Sequence, residues 1–444
     1  MNYQTLKWTA LGALASVALG TTSHAQSADA LIDKLVQKGI LTVKEANDLR
    51  EEADKDFKSA YQVKSGMPDW VDSLKLNGDF RGRYEAFFSD NDTFTDRYRW
   101  RYRLRFGAVA TLKNDLEVGF RLTSSEASGS FGGDPISGNT TFNSNASKKF
   151  LYIDQAYAKW SPLHTAEWAG ALTFGKMENP FVFSDMIFDQ DYTPEGGALQ
   201  LAYTVSSQHV LKLNGGAFVL NELGGDSNDS WMAGSQLRWD GTWNKKLASS
   251  VGFAALAISN PDNLGNAAVP NQNRGNTRVG AAGLPLYNFN PVVADAALTY
   301  TLDSAPLYTG AFPIKLAADY LYNPAAEGDN YGYSLGVTFG KAGKKKTWEA
   351  SYTWKYLGAD AWYEELTDSD YGAYYQAPQP NSGMTAGGYG SGTNTRGHIV
   401  KLSYSPYDSL TLSVKWWRAE LINPVPAGSD GMMNRLQVDA SLKF

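Results

Sequence analysis

An alternating run of arginines between Arg97 and Arg105 constrains the fold of this chain most strongly. The segment reads RYRWRYRLR, with aromatic or leucine side chains between the five arginines. Successive side chains of a β-strand point to opposite faces. The pattern therefore predicts a strand that carries five guanidinium groups on one face and four large apolar or aromatic side chains on the other.

The segment just before it, residues 74–88, follows the same rule. Leu76, Phe80 and Phe88 fall on one face, and a mixed set of charged residues that includes Asp79 and Glu85 falls on the opposite face. Two such strands side by side predict a common polar wall rich in arginine. A soluble antiparallel sheet with one wet face would show a similar alternation.

The N-terminus has the features of a secretory signal peptide. Lys7 precedes an apolar stretch over residues 8–20, and the small residues Ser23 and Ala25 flank His24 as in a cleavage site. The stretch is too short for a transmembrane helix, and no later segment offers roughly 18 uninterrupted apolar residues. The sequence predicts removal of residues 1–25 and leaves two classes, a soluble exported protein or a membrane β-barrel.

Composition narrows the classes further. The chain has no cysteine, so disulfides and thiolate chemistry contribute nothing. The formal net charge is -6, which gives no electrostatic case for nucleic-acid binding despite the local arginines. Aromatic residues make up 13% of the chain and there are 43 glycines, as expected for outer-membrane barrels with aromatic girdles.

Residues 28–60 form the one helical stretch of the mature sequence. Leu31 and Leu35 have helical spacing, Gly39 is a candidate C-cap, and Thr42 with Glu45 forms a capping box for a second helix. We expect a short helical hairpin over residues 26–66, located in the periplasm, followed by a barrel over residues 67–444.

From residue 74 onward, alternation bounded by turn residues predicts about sixteen strands, an even number as bacterial barrels require. The fold class is therefore an all-β, transmembrane antiparallel β-barrel preceded by the hairpin. The predicted strands lie near 74–88, 96–112, 115–124, 149–160, 167–176, 197–205, 209–220, 231–242, 248–258, 290–302, 312–322, 331–341, 346–357, 395–405, 409–420 and 433–444.

Connections between these strands alternate in length. Short links such as 113–115 and 206–208 alternate with long polar links at 125–149, 177–196, 259–288 and 358–394. With the hairpin in the periplasm, every long link falls on the extracellular side, as in bacterial barrels. The last strand alternates cleanly and ends on Phe444, which resembles the C-terminal strand of Gram-negative outer-membrane proteins that the barrel assembly machinery reads.

The free-energy cost of placing a charge in lipid indicates which face of the barrel the arginine side chains occupy. One arginine on the lipid face costs about 2 to 4 kcal/mol near the bilayer midplane, so the alternation must turn these side chains inward. About sixteen strands also leave an aqueous channel. The residues predicted to line it are Arg81, Arg83, Arg97, Arg99, Arg101, Arg103, Arg105 and Arg121.

The connection 177–196 differs from the other long links because it carries six large apolar residues. It follows the fifth strand, from which general porins send a loop into the barrel. We hypothesise that its acids face the arginine wall across a constriction and create a transverse field; the alternative is an extracellular cap held by its aromatic residues. The acids of this loop are Glu178, Asp185, Asp189, Asp191 and Glu195.

Four segments carry a resemblance to a known family: the signal peptide, the hairpin sequence LIDKLVQKGILTVKEANDL, the strand RYRWRYRLRFG, and GKMENPF followed by DQDYTPEG. Together they resemble the Putative porin family of Gram-negative bacteria. The resemblance implies an outer-membrane channel, commonly a homotrimer in porins generally, with no catalytic residue.

Competing functions remain open at this stage. The histidines His164, His209 and His398 lack a nucleophile motif or paired spacing, which argues against an enzyme and against a metal site. The acids of the 358–394 link match no calcium loop, so a solvated acidic loop is expected there. No cofactor is expected. Besides membrane lipid, the expected contacts are lipopolysaccharide and small hydrophilic solutes.

Three functions fit these expectations. The favoured one is passive diffusion of small hydrophilic solutes and ions through a water-filled channel. An anion-selective channel would instead bind phosphate or organic acids through bidentate arginine contacts. An adhesive or structural barrel would use the long outer loops.

Overall fold

The described part of the chain begins close to the predicted barrel. The computed structural model describes residues 66–90, 96–270, 274–371, 392–424 and 431–444. The chain divides into two compact units, Met1–Asp72 and Ser73–Phe444. The predicted signal peptide and, apart from residue 66, the helical hairpin lie outside the described residues, so both stay predictions.

Sixteen long strands form a closed antiparallel β-barrel, as the alternation predicted. They are β1 (Val71–Ser89), β2 (Arg97–Leu112), β3 (Leu116–Ser125), β5 (Phe150–His164), β6 (Trp168–Lys176), β7 (Glu195–Ser206), β8 (His209–Asn221), β9 (Ser230–Thr242), β10 (Leu247–Ile258), β13 (Val292–Leu302), β14 (Phe312–Tyr322), β15 (Tyr331–Gly340), β16 (Thr347–Leu357), β17 (Thr395–Tyr407), β18 (Leu410–Leu421) and β19 (Met433–Lys443).

Short elements lie in the connections between the barrel strands. The two-residue strand β4 (Thr140–Thr141) pairs with β2 and joins the sheet as a seventeenth strand. A separate two-stranded pairing joins β11 (Arg278–Val279) to β12 (Leu284–Pro285). Single turns of 3₁₀ helix occur at Ser144–Ala146, Pro261–Asn263 and Glu364–Leu366.

The barrel closes where the last strand pairs with the first. β19 is antiparallel to β1, with Arg83 opposite Asp439 and Glu85 opposite Gln437. β1 also pairs with β2, so the ring of neighbours is complete. Each of the sixteen described barrel strands thus has a neighbour on both sides, which is what a sheet surrounded by lipid requires.

The connections at the two ends of the barrel differ in length, as predicted. One end carries tight links, such as 113–115 with left-handed Asn114 and Asp115, and 408–409. All the long connections, 126–149, 177–194, 259–291 and 358–394, leave from the other end. We call the first the turn end and the second the loop end. Among the described residues, the helical segments are too short or too polar to cross a membrane.

The outer and inner faces of the barrel follow the alternation of the sequence. Outward side chains are large, apolar and exposed, for example Trp100 (59%), Phe253 (62%) and Leu335 (52%). Inward positions on β1 and β2 hold the buried Arg83 and Arg103 instead. The strand pattern thus sends apolar groups to the lipid side and charges to the interior.

The largest apolar core lies inside the barrel rather than between layers. Side chains of β8, β9, β10, β13, β14 and β16 meet side chains from three long connections there. Phe218, Met232 and Leu321 come from the strands, and Ile187 and Trp362 come from the connections. The connections therefore fill one side of the barrel interior near the loop end.

Candidate functional site

The connection 177–194 touches strands on widely separated parts of the barrel wall. Asp191 accepts hydrogen bonds from Arg103 on β2. Gln236 on β9 binds the backbone of Val182 through both its amide oxygen and nitrogen, at 2.9 and 2.8 Å. These strands are six positions apart in the ring of barrel strands. A connection with both contacts lies across the space that the strands enclose.

Apolar side chains hold this connection on its packed side. Phe181, Ile187 and Phe188 are almost fully buried, and Phe181 meets Phe218 of β8 edge to face at 6.3 Å. Trp362, from the connection 358–394, donates its indole N–H to the carbonyl oxygen of Ile187 at 3.0 Å. Such a cluster fixes the connection because water would have to re-enter an apolar core to release it.

On the opposite side the connection meets the arginines of β2. Arg103 binds Asp191 at 2.8 Å and Asp79 at 3.1 Å. Arg105 binds Asp79 at 2.7 Å and Asp191 at 3.2 Å. Two arginines and two carboxylates thus form a closed charge network between β1, β2 and the connection.

Carboxylates on neighbouring strands neutralise most of the other arginines. Arg83 forms a fork of two 2.8 Å hydrogen bonds to Asp439 across the closing seam. Arg99 and Arg435 share the fully buried Glu85. These pairs arise because strand register places acidic and basic residues opposite each other, as with Arg83 and Asp439.

The remaining predicted arginines occupy different surroundings. Arg101 is buried near Glu85 and donates to the carbonyl oxygen of Asn139 at 3.2 Å. Arg121 on β3 pairs with Asp154 and lies 3.5 Å from Glu178. Arg97 is half-buried at the first position of β2.

The connection and the arginine wall together line a cavity of about 620 Å³. Of the eight predicted arginines, five line it, whereas Arg97, Arg99 and Arg101 do not. The side chains of the wall that border the cavity are Arg81, Arg83, Arg103, Arg105 and Arg121, together with Lys401, Lys415, Gln437 and Asp439. The cavity is therefore bounded by charged side chains from β1, β2, β3, β17, β18 and β19.

Four of the five acids predicted for the connection belong to this boundary. Glu178, Asp185, Asp189 and Asp191 line the cavity. Glu195 does not: it is the first residue of β7, lies opposite Lys176 in register, and pairs with it at 3.0 Å. The predicted connection, 177–196, is too long by two residues, because strand pairing with Lys176 begins at Glu195, before Gly196.

The acids of the cavity differ in their electrostatic surroundings. Burial raises the pKa of Asp189 well above its usual range, and the charges of Asp368 and Asp191 raise it further. Burial acts in the same direction on Asp191, but Arg103 and Arg105 outweigh it and hold the pKa of Asp191 below its usual range. Neighbouring acids in one cavity therefore have opposite tendencies to bind a proton.

The acids of the connection 358–394 contradict the expectation of a solvated loop. Asp360 accepts from the backbone N–H and hydroxyl of Thr277 at 2.8 and 2.6 Å. Glu364 and Arg278 form an ion pair in which both side chains are fully buried. Segment 274–278 supplies the partners, and their hydrogen bonds compensate the cost of removing these carboxylates from water.

The end of the same segment reaches the arginine wall. Asp370 accepts from Arg435 at 2.8 Å and lies 3.5 Å from Arg83. Burial alone would raise the pKa of Asp370, but Arg435 and Arg83 together lower it. Asp368 next to it is buried among Lys415 and Lys355, and burial raises its pKa. A second connection therefore contributes acids to the cavity.

Several charged residues of the interior were missed by the sequence reasoning. Lys355 and Lys415 stand on β16 and β18 over the rings of Tyr371 and Trp417, at 4.0 and 4.4 Å. Arg238 on β9 pairs with Asp295 at 2.7 Å. Each occupies an inward position of a predicted strand, so the alternation alone could have placed it in the interior. A single charge in a strand is a weaker pattern than a run of five arginines.

The histidines have ordinary surroundings. His398 lies 2.9 Å from the hydroxyl of Tyr352, His209 stacks near Trp239, and His164 is exposed, 3.8 Å from Asp115. Within the described ranges, no three His, Asp or Glu side chains are grouped as a metal site would need.

Comparison with known families connects these observations to a class of proteins. A family model described as Putative porin matches residues 89–263, which include the arginine strand and the connection 177–194. The resemblance to this family is confirmed over that segment. The closed antiparallel barrel agrees with a match to a family of porins. No curated protein matches the sequence.

Solved structures with a similar fold include three porins. OprB of Pseudomonas putida is 11% identical, with 87% of this chain and 96% of that chain covered and a TM-score of 0.49. OmpF of Salmonella typhi, in complex with daunomycin, is 11% identical over 84% and 97%, with a TM-score of 0.46. A triple mutant of the Rhodopseudomonas blastica porin is 8% identical over 84% and 100%, with a TM-score of 0.39.

Proposed function

We propose that this protein is a general diffusion channel of the outer membrane, which passes small hydrophilic solutes and ions through a constriction. The observation that carries the proposal is the position of segment 177–194. It is anchored on apolar residues at one side and binds Arg103 and Arg105 through Asp191 at the other. A solute must pass the charged cavity of about 620 Å³ that remains.

Weak selectivity follows from the balance of charge around this cavity. Seven basic side chains line it, and so do seven acidic ones: Glu178, Asp185, Asp189, Asp191, Asp368, Asp370 and Asp439. Opposed charges across an aqueous opening produce a transverse field that orients dipolar solutes without attracting one sign strongly. Of the eight arginines predicted to line the pore, five border the cavity. Arg97, Arg99 and Arg101 support the wall beside it.

An anion-selective channel is the second candidate, and one observation favours it. Burial raises the pKa values of Asp189 and Asp368, so these acids bind protons at a higher pH than ordinary carboxyl groups do, whereas the arginines stay charged. The cavity then carries an excess of positive charge. A bias toward small anions would follow.

The setting of the channel is part of the same proposal. We place the barrel in the Gram-negative outer membrane, as a homotrimer in contact with lipopolysaccharide, with the turn end and the N-terminal hairpin in the periplasm. Phe444 is 65% exposed and its backbone pairs with Gly78 at the seam of the barrel. An exposed terminal aromatic beside the last strand is what the barrel assembly machinery would read.

Conductance in planar bilayers tests the proposal. Purified full-length protein should give discrete channels with a small reversal potential in a salt gradient. The double variant Asp185→Asn and Asp189→Asn should change the conductance or the reversal potential, because it removes charge from the cavity. The matched control is Asp226→Asn, in an exposed connection at the same end of the barrel. Absence of any channel would favour the adhesive or structural barrel instead.

A further inference from the structure

Arg81 differs from its neighbours in the arginine wall. Its guanidinium donates to the side-chain oxygen of Asn139 at 2.8 Å, and its Nε is buried without a hydrogen-bond partner. Among the described residues no carboxylate lies within ion-pair distance of Arg81, although Arg83, Arg103, Arg105 and Arg121 each bind one. Arg81 thus lies in the wall of the cavity without a direct ion pair to any described carboxylate.

An arginine without a direct ion pair can bind an anion that enters the cavity. A guanidinium presents several N–H donors in a planar fork that matches the two oxygens of a carboxylate. Asn139, Ser441 and Gln437 line the same cavity and can supply further hydrogen bonds. The polar side of the cavity is therefore suited to a small carboxylate.

The connection on the facing side contributes aromatic rings to the cavity besides its acids. Phe183 and Tyr192, both half-buried, line it together with Phe188. The rings of Phe188 and Tyr192 are stacked at 5.8 Å with an interplanar angle of 10°, and Phe183 lies 5.7 Å from Phe188. These rings offer a flat apolar surface, which inorganic anions cannot use but an aromatic or similarly apolar body can.

We propose that the constriction contains a binding site for aromatic carboxylates, with the carboxylate on Arg81 and the ring against Phe183 and Tyr192. The proposal rests on the proposed channel function and names a solute class for it. The cavity of about 620 Å³ lies within the roughly 300 to 1,000 Å³ of small-molecule sites and holds one benzoate-sized ligand. Transient binding at this point favours the passage of such solutes at low concentration.

The test uses benzoate as a blocker of single-channel current in planar bilayers. Benzoate at low salt should interrupt the current of the full-length protein at concentrations at which benzyl alcohol, acetate and inorganic phosphate do not. Arg81→Gln should weaken the block by about tenfold or more, since it removes a charged hydrogen bond. Arg81→Lys keeps the charge but not the planar fork, so it should retain the ion selectivity and lose most of the block.

Two further variants separate the two halves of the site. Phe183→Leu should lower the ratio of benzoate block to acetate block by roughly two- to tenfold, as expected for loss of an aromatic contact. Arg396→Gln is the matched control, because Arg396 pairs with Glu420 away from the cavity and its loss should leave the block unchanged.

The failures of the two proposals are distinguishable. A protein that forms no channel overturns the proposed function. A protein that conducts normally but is blocked equally by benzoate, benzyl alcohol and phosphate, or whose benzoate block survives Arg81→Gln, overturns the carboxylate site alone.

Discussion

The two sides of the barrel interior have the same strand architecture and differ in the side chains that face inward near the loop end. Along β8 to β16 the inward positions near the loop end hold Phe218, Met232 and Leu321, and three connections pack onto them. Along β1 to β3 and β17 to β19 the inward positions hold arginines, lysines and carboxylates that border a cavity. The apolar side is filled and the charged side is open.

This difference explains how segment 177–194, a connection without regular secondary structure, can form one wall of the cavity. The side chains of Phe181, Ile187 and Phe188 are buried, and burial of each contributes about 1.5 to 3 kcal/mol to the stability of the folded segment. The salt bridges of Asp191 on the other side are partly exposed and contribute less. The packed side therefore holds segment 177–194 in place, and the charged side determines what passes it.

Removal of Trp362 should break the packed side and give the largest effect. Trp362→Ala leaves a cavity beneath Phe188 and removes the hydrogen bond to Ile187, at a cost of about 3 to 5 kcal/mol. We expect segment 177–194 to loosen and the single-channel conductance to rise and become noisy. Trp100→Ala, on the exposed outer face, is the matched control and should conduct as the unaltered protein does. Equal conductance in both variants would contradict the anchoring role.

Removal of the charge on Asp191, on the charged side of the interior, should give the second largest effect. Within the described part of the chain, Asp191→Asn leaves Asp79 as the one ion-pair partner of Arg103 and Arg105, and loss of charged hydrogen bonds costs about 2 kcal/mol. The reversal potential in a salt gradient should shift toward anion selectivity. An unchanged reversal potential would mean that Asp191 does not face the permeating ions.

Acidification should produce a smaller shift in the same direction. The pKa values of Asp189 and Asp368 are raised by burial, so a fall in pH through those values neutralises them while the arginines remain charged. Anion preference should therefore increase as the pH falls. Asp189→Asn should remove much of this pH dependence, and a variant that titrates like the unaltered channel would refute the assignment.

The stability of the segment has the corresponding pH dependence. Because the pKa of Asp189 is raised in the folded state, its contribution to folding is greatest at low pH and is lost as the pH rises through that value. Asp191 acts in the opposite way: its pKa is lowered, so its contribution is present above the ordinary carboxyl pKa of about 3.9 and is lost as the pH falls below it.

The smallest effect is expected at Glu195. Its pair with Lys176 is exposed and begins a strand, and such pairs contribute about 0 to 1 kcal/mol. Glu195→Gln should leave conductance, reversal potential and thermal unfolding within experimental error. A shift as large as that of Asp191→Asn would restore Glu195 to the acids that face the pore.

The strands were predictable from sequence because alternation is a strictly local signal. The boundaries of β14 were predicted at 312–322, and the structure has Phe312–Tyr322. The arginine strand was equally clear, since the lipid penalty leaves one direction for its side chains. The even strand number and the long loop end followed from the same pattern.

The partners of the charges could not be predicted because they depend on contacts between distant segments. Nothing local to Glu364 indicates that Arg278 will bury its carboxylate, and nothing near Arg83 indicates Asp439 at the closing seam. That Arg81 forms no direct ion pair with a described carboxylate is likewise visible only when its neighbours are in place. The packing of the connection 358–394 against segment 177–194 could not be predicted for the same reason, because it joins segments far apart in the sequence.

Chemical labelling inside the barrel tests the position of segment 177–194 most directly. The chain has no cysteine, so a single substitution is labelled without background. Gln190 is exposed and lines the cavity, whereas Ser227 is exposed in another connection at the loop end. Addition of a charged, membrane-impermeant thiol reagent to Gln190→Cys in a planar bilayer should cause a stepwise fall in single-channel conductance, and Ser227→Cys should show none. Complete labelling of Gln190→Cys, verified by mass spectrometry, without a change in current would contradict the account.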